Sequence, residues 1–192
     1  MLAVEGLGKR YGRNWVFRGI SFELAVGDGL IVEGKNSSGK STLIRTIAGL
    51  VRPTEGVVHL PAGEFRRTVG LCAIEQSLYG HLTVSEHLKF AAAVRGCDHR
   101  SEELLELVGL GFAADVLACS LSTGMKTRVK LALAAQARPA LLLLDEPGAG
   151  LDDAGRDVVD RICREQRERG ALVAATNDLS ERRLGNLELE LS

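Results

Sequence analysis

Residues Gly34 to Thr42, reading GKNSSGKST, carry residue types at a spacing that specifies phosphate chemistry. Gly34 and Gly39 frame four residues, and Lys40 and Ser41 follow at once, the G-x-x-x-x-G-K-S/T pattern without a mismatch. In such a loop consecutive backbone N–H groups, here through Asn36, Ser37, Ser38 and on to Thr42, curve around phosphate oxygens. The helix that follows aims its positive end at the same point. Lys40 is spaced to reach the β- and γ-phosphates of ATP, and Ser41 to place its hydroxyl on Mg2+. Gly34 and Gly39 allow dihedrals and a close approach that a Cβ would block. The competing reading is a Gly/Ser turn ahead of a helix. The apolar strand pattern before the loop and the helical pattern after it are the context that a phosphate loop requires.

A second cluster lies a hundred residues on. Leu141 to Leu144 form a continuous apolar run, which suits a strand buried on both faces, and the run ends in Asp145 and Glu146. Parallel sheets bind ligands at the carboxyl ends of their strands. Asp145 is therefore expected beside the loop as a Mg2+ ligand, directly or through water. Glu146 is expected to orient and polarise an attacking water. Phosphoryl transfer asks little more of a protein than positioning and charge stabilisation. Taken alone, two acidic residues before Pro147 and Gly148 read equally well as the start of a loop.

Both clusters need a scaffold, and the hydrophobic periodicity supplies one. The first thirty residues alternate as strands do, with Ile20, Phe22 and Leu24 on one face. Leu30 to Val32 is a short buried strand, Lys40 to about Leu50 a helix, and Pro53 and Gly56 close that unit. A further strand is expected at Thr68 to Ala73. Residues 84–137 read as helical and are taken as a small subdomain inserted in the core of a single domain, 1–192. Ser122 caps a helix that Pro139 ends. Ala171 to Thr176 is a second buried strand, and Leu187, Leu189 and Leu191 alternate with glutamates as an edge strand would. Strands alternating with helices predict an α/β fold with a mainly parallel central sheet.

Composition narrows the partners. The formal net charge is −1, so nothing draws the whole chain to nucleic acid or an anionic membrane. No apolar run approaches the roughly 18 residues that span a bilayer, and the N-terminus has no secretory h-region. A cytoplasmic location is expected, with any membrane role reached through another chain. Cys72, Cys97, Cys119 and Cys163 form no C-x-x-C pair and read as reduced thiols; the four histidines read as surface or packing residues.

Together these segments resemble the ATP-binding cassette family over nearly the whole length. Tyr11 matches the family's adenine-stacking aromatic, with Val16 on the same face. Leu121-Ser122-Thr123-Gly124-Met125 is similar to the signature loop, usually LSGGQ. Asp145 and Glu146 match the magnesium carboxylate and the catalytic glutamate. Gly150-Leu151-Asp152 resembles the loop that communicates across the dimer, and Leu172 to Asp178 the switch-histidine segment. The resemblance implies a P-loop NTPase fold with an N-terminal antiparallel β layer. It implies a head-to-tail dimer of cassettes, homo- or heterodimeric, in which Ser122, Thr123 and Gly124 of one subunit face the ATP held by the other. It further implies ATP hydrolysis, slow without a partner, that drives a separate transmembrane permease. The protein would then lie peripherally on the inner face of the cell membrane. Tyr79, Leu82, Val84 and Phe90 are the candidate contacts to that permease; ordinary packing of the helical subdomain is the competing reading, and it is the favoured one for Val84 and Phe90. The L-S-x-G-M and T-N-D readings are similar to ATPases of bacterial haem export in cytochrome c maturation. A soluble non-transport cassette and a weakly hydrolysing, nucleotide-gated binding subunit are the alternatives.

Three positions depart from the family pattern. Thr123 replaces a glycine of the signature. The glutamine expected before the helical region aligns with Ile74, while Gln76 lies two residues later: either it reaches the metal or its water from the same face of an extended segment, or no side chain here senses Mg2+ and Glu75 and Gln76 are only solvated. Asn177 stands where the switch histidine is expected; it can donate a hydrogen bond to a γ-phosphate but cannot become cationic. A charge-assisted hydrogen bond is about twice as strong as a neutral one. Asn177→His is accordingly expected to raise steady-state ATP turnover and to add a pH dependence; an unchanged or lower rate in the same assay refutes that role for position 177.

Overall fold

The computed structural model describes residues 1–191. The chain opens with an antiparallel pair, β1 (Leu2–Tyr11) and β2 (Asn14–Leu24), closed by a turn in which Gly12 takes φ 61°. β3 (Gly29–Gly34) runs through the phosphate-loop segment into α1 (Lys40–Ile47). β4 (Glu55–His59) then returns to pair antiparallel with β1, giving a first sheet of order β2-β1-β4. This strand corrects the sequence reading, which ends the unit at Gly56. Gly56 lies inside β4 at φ 81°, and a Cβ there would fall 2.4 Å from the Gly6 carbonyl oxygen. The short turn α2 (Phe65–Thr68) leads into β5 (Val69–Cys72).

Residues 84–137 hold α3 (Val84–Arg95), α4 (Ser101–Leu107) and α5 (Thr123–Ala135), with 3-10 turns at Gly111–Ala113 and Ala118–Ser120. Thr83 starts α3 with a reciprocal capping box to Glu86, which satisfies two amides that a helix start leaves unpaired. The Ser122 hydroxyl caps α5 by accepting from the Met125 amide at 3.2 Å. β6 (Leu141–Asp145), α6 (Asp153–Arg169), β7 (Ala171–Ala175) and β8 (Leu187–Leu191) complete the chain.

The second sheet has order β5-β6-β7-β3-β8 and every pairing in it is parallel. β6 is buried along its whole length, and its side chains divide by pleat. Leu141 and Leu143 enter a cluster with Leu43, Ile44 and Ile47 of α1 and Leu2, Val4 and Leu7 of β1. Leu142 and Leu144 enter the opposite cluster with Val129 of α5 and Val158 and Ile162 of α6. The unbroken apolar run is thus the consequence of two cores meeting on one strand. Because all five strands run the same way, Gly34, Cys72, Asp145 and Ala175 end at one rim.

Leu143 is 0% exposed. Leu143→Ala is expected to cost about 2–5 kcal/mol. For a chain of this size that lowers the melting temperature by roughly 10 °C. Leu50→Ala, at a site 65% exposed, should leave it nearly unmoved when both are followed by circular dichroism.

Candidate functional site

Lys40 is the first residue of α1 and is only 5% exposed. Its Nζ donates to the carbonyls of Gly34 at 2.8 Å and Lys35 at 3.1 Å, and to Oδ1 of Asn177. Asn177 in turn donates from Nδ2 to Asn36 Oδ1 and from its backbone amide to Glu146 Oε2 at 3.2 Å. Gly39 precedes the helix at φ 99°, and a Cβ there would stand 2.4 Å from Val16 Cγ1. Gly34 takes φ 150°, and its Cβ would meet the Leu191 carbonyl oxygen at 2.3 Å. Both glycines are therefore required by close approach as well as by dihedral. Among the described residues no side chain caps α1. Its first amides, which have no intrahelical partner, point with the helix dipole into a cavity of about 570 Å³ lined by Val16, Asn36, Ser37, Lys40, Glu146 and Asn177 among others. Thr42 and Ser41 line it too, while Ser38 keeps a buried hydroxyl against Gly34.

The carboxylates arrive from β6. Asp145 Oδ1 accepts from Ser41 Oγ at 2.9 Å. Burial raises the Asp145 pKa against the pull of that hydroxyl and of Arg45 and Lys40. Glu146 sits 4.0 Å from the Lys40 ammonium; burial raises its pKa, opposed by the Asn177 amide and Lys40. Glu146 also takes φ 50°, a left-handed conformation that costs a non-glycine residue about 1–3 kcal/mol. Its amide remains bonded to Ala175 of β7 at 2.8 Å. The strained turn directs the side chain back over the rim. Hydroxyl and carboxylate oxygens are hard donors of the kind Mg2+ takes, so Ser41 and Asp145 fit that ion.

The model of the ABC transporter family matches residues 17–149. The chain belongs to the ABC transporter family. It is an ATPase cassette of that family. It is 40% identical over 190 residues to the cytochrome c biogenesis ATP-binding export protein CcmA of Alkalilimnicola ehrlichii, covering 92% of this chain and 80% of that protein. To the linearmycin resistance ATP-binding protein LnrL of Bacillus subtilis it is 33% identical, over 94% of this chain but only 62% of that relative's length. The fold matches a dimeric structure of the ATP-binding cassette MJ0796, titled as a post-hydrolysis state bound to ADP and Pi, with TM-score 0.88 at 22% identity, covering 100% of this chain and 94% of that one.

Several predicted positions of this cassette lie away from the phosphate cavity. Tyr11 is 54% exposed on the β1–β2 hairpin with the Lys9 ammonium 4.7 Å from its ring centre. Ser122 and Thr123 are exposed and Gly124 half-buried where α5 begins, and Thr123 lines two neighbouring grooves, one of them shared with Asp145 and Glu146. Asp152 caps α6, its Oδ1 accepting from the Gly155 amide at 2.8 Å. Gln76 corrects the sequence reading: a turn from Ala73 to Gln76 breaks the extended path, so the two-residue shift does not preserve the face. Ile74 borders the phosphate cavity, and Gln76 lines a separate groove with Thr123 and Lys126. Val84 is 1% exposed and belongs to the core, so it presents nothing to a partner.

The sequence reading passes over Glu181. This carboxylate, 5% exposed, fills the space beside Gly148, where a Cβ would fall 2.1 Å from its Oε1. It joins the turn after Glu146 to the segment carrying Asn177. A lone glutamate in a polar stretch gives no pattern to find it by. Burial raises its pKa against the Thr176 hydroxyl. A carboxyl whose folded pKa is raised contributes stability below the ordinary glutamate value and loses it as pH rises through the folded value. Glu181→Gln cannot ionise, so it should melt higher than wild type at about pH 8, with the gap closing toward about pH 4. Parallel thermal melts across that range check the sign.

Proposed function

We propose that this cassette is the ATP-hydrolysing motor of a membrane exporter whose transmembrane part is a separate chain. The bond between Ser41 and Asp145 carries the reading, because it joins the phosphate loop to the acidic strand end at the point where a nucleotide's metal would sit. Mg2+ held by Ser41 and Asp145 would neutralise phosphate charge. Lys40 and the α1 amides bind and orient the outer phosphates. Glu146, on the far side of Lys40, takes the proton of the water that attacks the γ-phosphorus as the bond to ADP breaks. Asn177 holds Glu146 in place and donates to the γ-phosphate. Ile74 in place of an amide and Asn177 in place of an imidazole leave fewer polar groups to sense that phosphate, which favours slow turnover.

The exposed Ser122 and Thr123 at the start of α5, outside the lining of the phosphate cavity, support a head-to-tail dimer in which Ser122 and Gly124 complete the partner's site and Asp152 lies near the seam. Tyr11 is the adenine contact, reached by displacing Lys9. The single domain 1–192, with 84–137 as its helical part, presents Tyr79 and Phe90 to the permease; the two rings pack edge to face at 6.0 Å and are 55% and 51% exposed. The likeness to CcmA supports haem export for cytochrome c biogenesis as the cargo role. Among residues 1–191 no helix is long and apolar enough to cross a membrane, so the proposed permease would tether it to the inner face.

Lys40→Ala should abolish binding of a fluorescent ATP analogue. Glu146→Gln should bind it normally while turnover falls by about 10²–10⁴-fold. Glu146 acts as the carboxylate, so wild-type turnover rises with pH through a pKa above the ordinary glutamate value, and Glu146→Gln lacks that limb. Equal, near-zero rates for wild type and Glu146→Gln would instead support a binding subunit.

A further inference from the structure

The segment leaving β5, Ala73 to Ser77, is held from two sides. On one side Arg45 of α1 meets the Glu75 carboxylate at 2.8 Å. On the other, the Lys130 ammonium of α5 donates to the Ile74 carbonyl at 2.8 Å. α1 is the helix that opens on the phosphate loop, and α5 is the helix that begins at Thr123. The segment is therefore a bridge between the nucleotide side of the cassette and its helical part.

Ile74 stands where three cavities meet. It lines the phosphate cavity with Lys40 and Ser41, the groove of about 290 Å³ that holds Asp145, Glu146 and Thr123, and the groove under Gln76 and Gly80. Ile74 is 55% exposed, so packing does not fix it; the bond that its carbonyl accepts from Lys130 holds its backbone. Lys130 is half-buried between Val129 and Leu131, each 0% exposed, and forms no ion pair among the described residues. A cation spent on a neutral carbonyl makes a charge-assisted bond without binding a carboxylate that the metal site would need.

We propose that Lys130 is a positioning residue for ATP hydrolysis: through the Ile74 carbonyl it seats Ile74 at the cavity junction, beside the groove that Asp145 and Glu146 line. The inference rests on the nucleotide reading above. Lys130 lines the groove of Asp145 and Glu146 and not the phosphate cavity, so its loss alters the reaction step more than binding.

The test is single-turnover and steady-state ATP hydrolysis by the purified chain, beside binding of a fluorescent ATP analogue. Lys130→Met keeps the apolar stem and removes the donors; Lys130→Arg keeps a donor. Lys130→Met should lower kcat about tenfold with KM within about twofold, the loss of one charge-assisted bond. Lys130→Arg should restore most of the rate. Should Lys130→Met not fold, Lys130→Leu, which also lacks a donor, reads the same split. Wild-type kcat and KM in Lys130→Met, with or without a lower melting temperature, overturn the proposal while leaving the nucleotide reading intact. A wild-type chain that binds no ATP overturns both. Equal loss in Lys130→Met and Lys130→Arg overturns the carbonyl bond as the cause.

Discussion

A nearly buried lysine needs oxygen atoms for every donor it carries, and the rim of the parallel sheet is built around that requirement at Lys40. Two of its partners are main-chain carbonyls, those of Gly34 and Lys35, which turn inward because the loop bends at Gly34. The other groups come from distant strands: Asn177 from just past β7 and Glu146 from just past β6. A parallel sheet delivers strand ends from remote parts of the chain to one edge, whereas an antiparallel one would send every second end away.

The same requirement explains why strain is tolerated at Glu146. A relaxed backbone after Asp145 would carry the chain on past the rim. The left-handed turn keeps the amide on Ala175 and the carboxylate near Lys40. Burial works against both acidic side chains, and the groups that offset it — Ser41, Arg45, Lys40 and the Asn177 amide — belong to the loop, its helix and the segment after β7. Charge balance and chain topology are thus one arrangement. The two hydrophobic clusters that divide the leucines of β6 hold it rigid.

The parts of this arrangement governed by local rules could be read from residue order. The phosphate loop, the helix capped by Ser122, the doubly buried strands and the alternating edge strand each carry a periodicity or a spacing. β4 escaped because five residues with a glycine second in line resemble a turn more than a strand. Gln76 was misplaced because a turn starting at Ala73 depends on what Arg45 and Lys130 do to the segment, and those residues lie far away in sequence. Glu181 was invisible for a similar reason: its place is defined by the missing Cβ of Gly148. Contacts of long sequence separation decide these three cases, and no periodicity encodes them.

The amide of Asn177 bonded to Lys40 has a thermodynamic consequence. It is a tethered competitor, present at the fixed effective concentration that its short connection to β7 confers. A phosphate reaching Lys40 must displace it, so apparent affinity equals intrinsic affinity scaled by the fraction of time the amide is released. By reciprocity, occupancy of the loop must release the Asn177 oxygen from Lys40 by the same factor, which leaves that side chain to turn its nitrogen to the phosphate. Tightening the seat of Asn177 would weaken binding and make each binding event swing that side chain more completely.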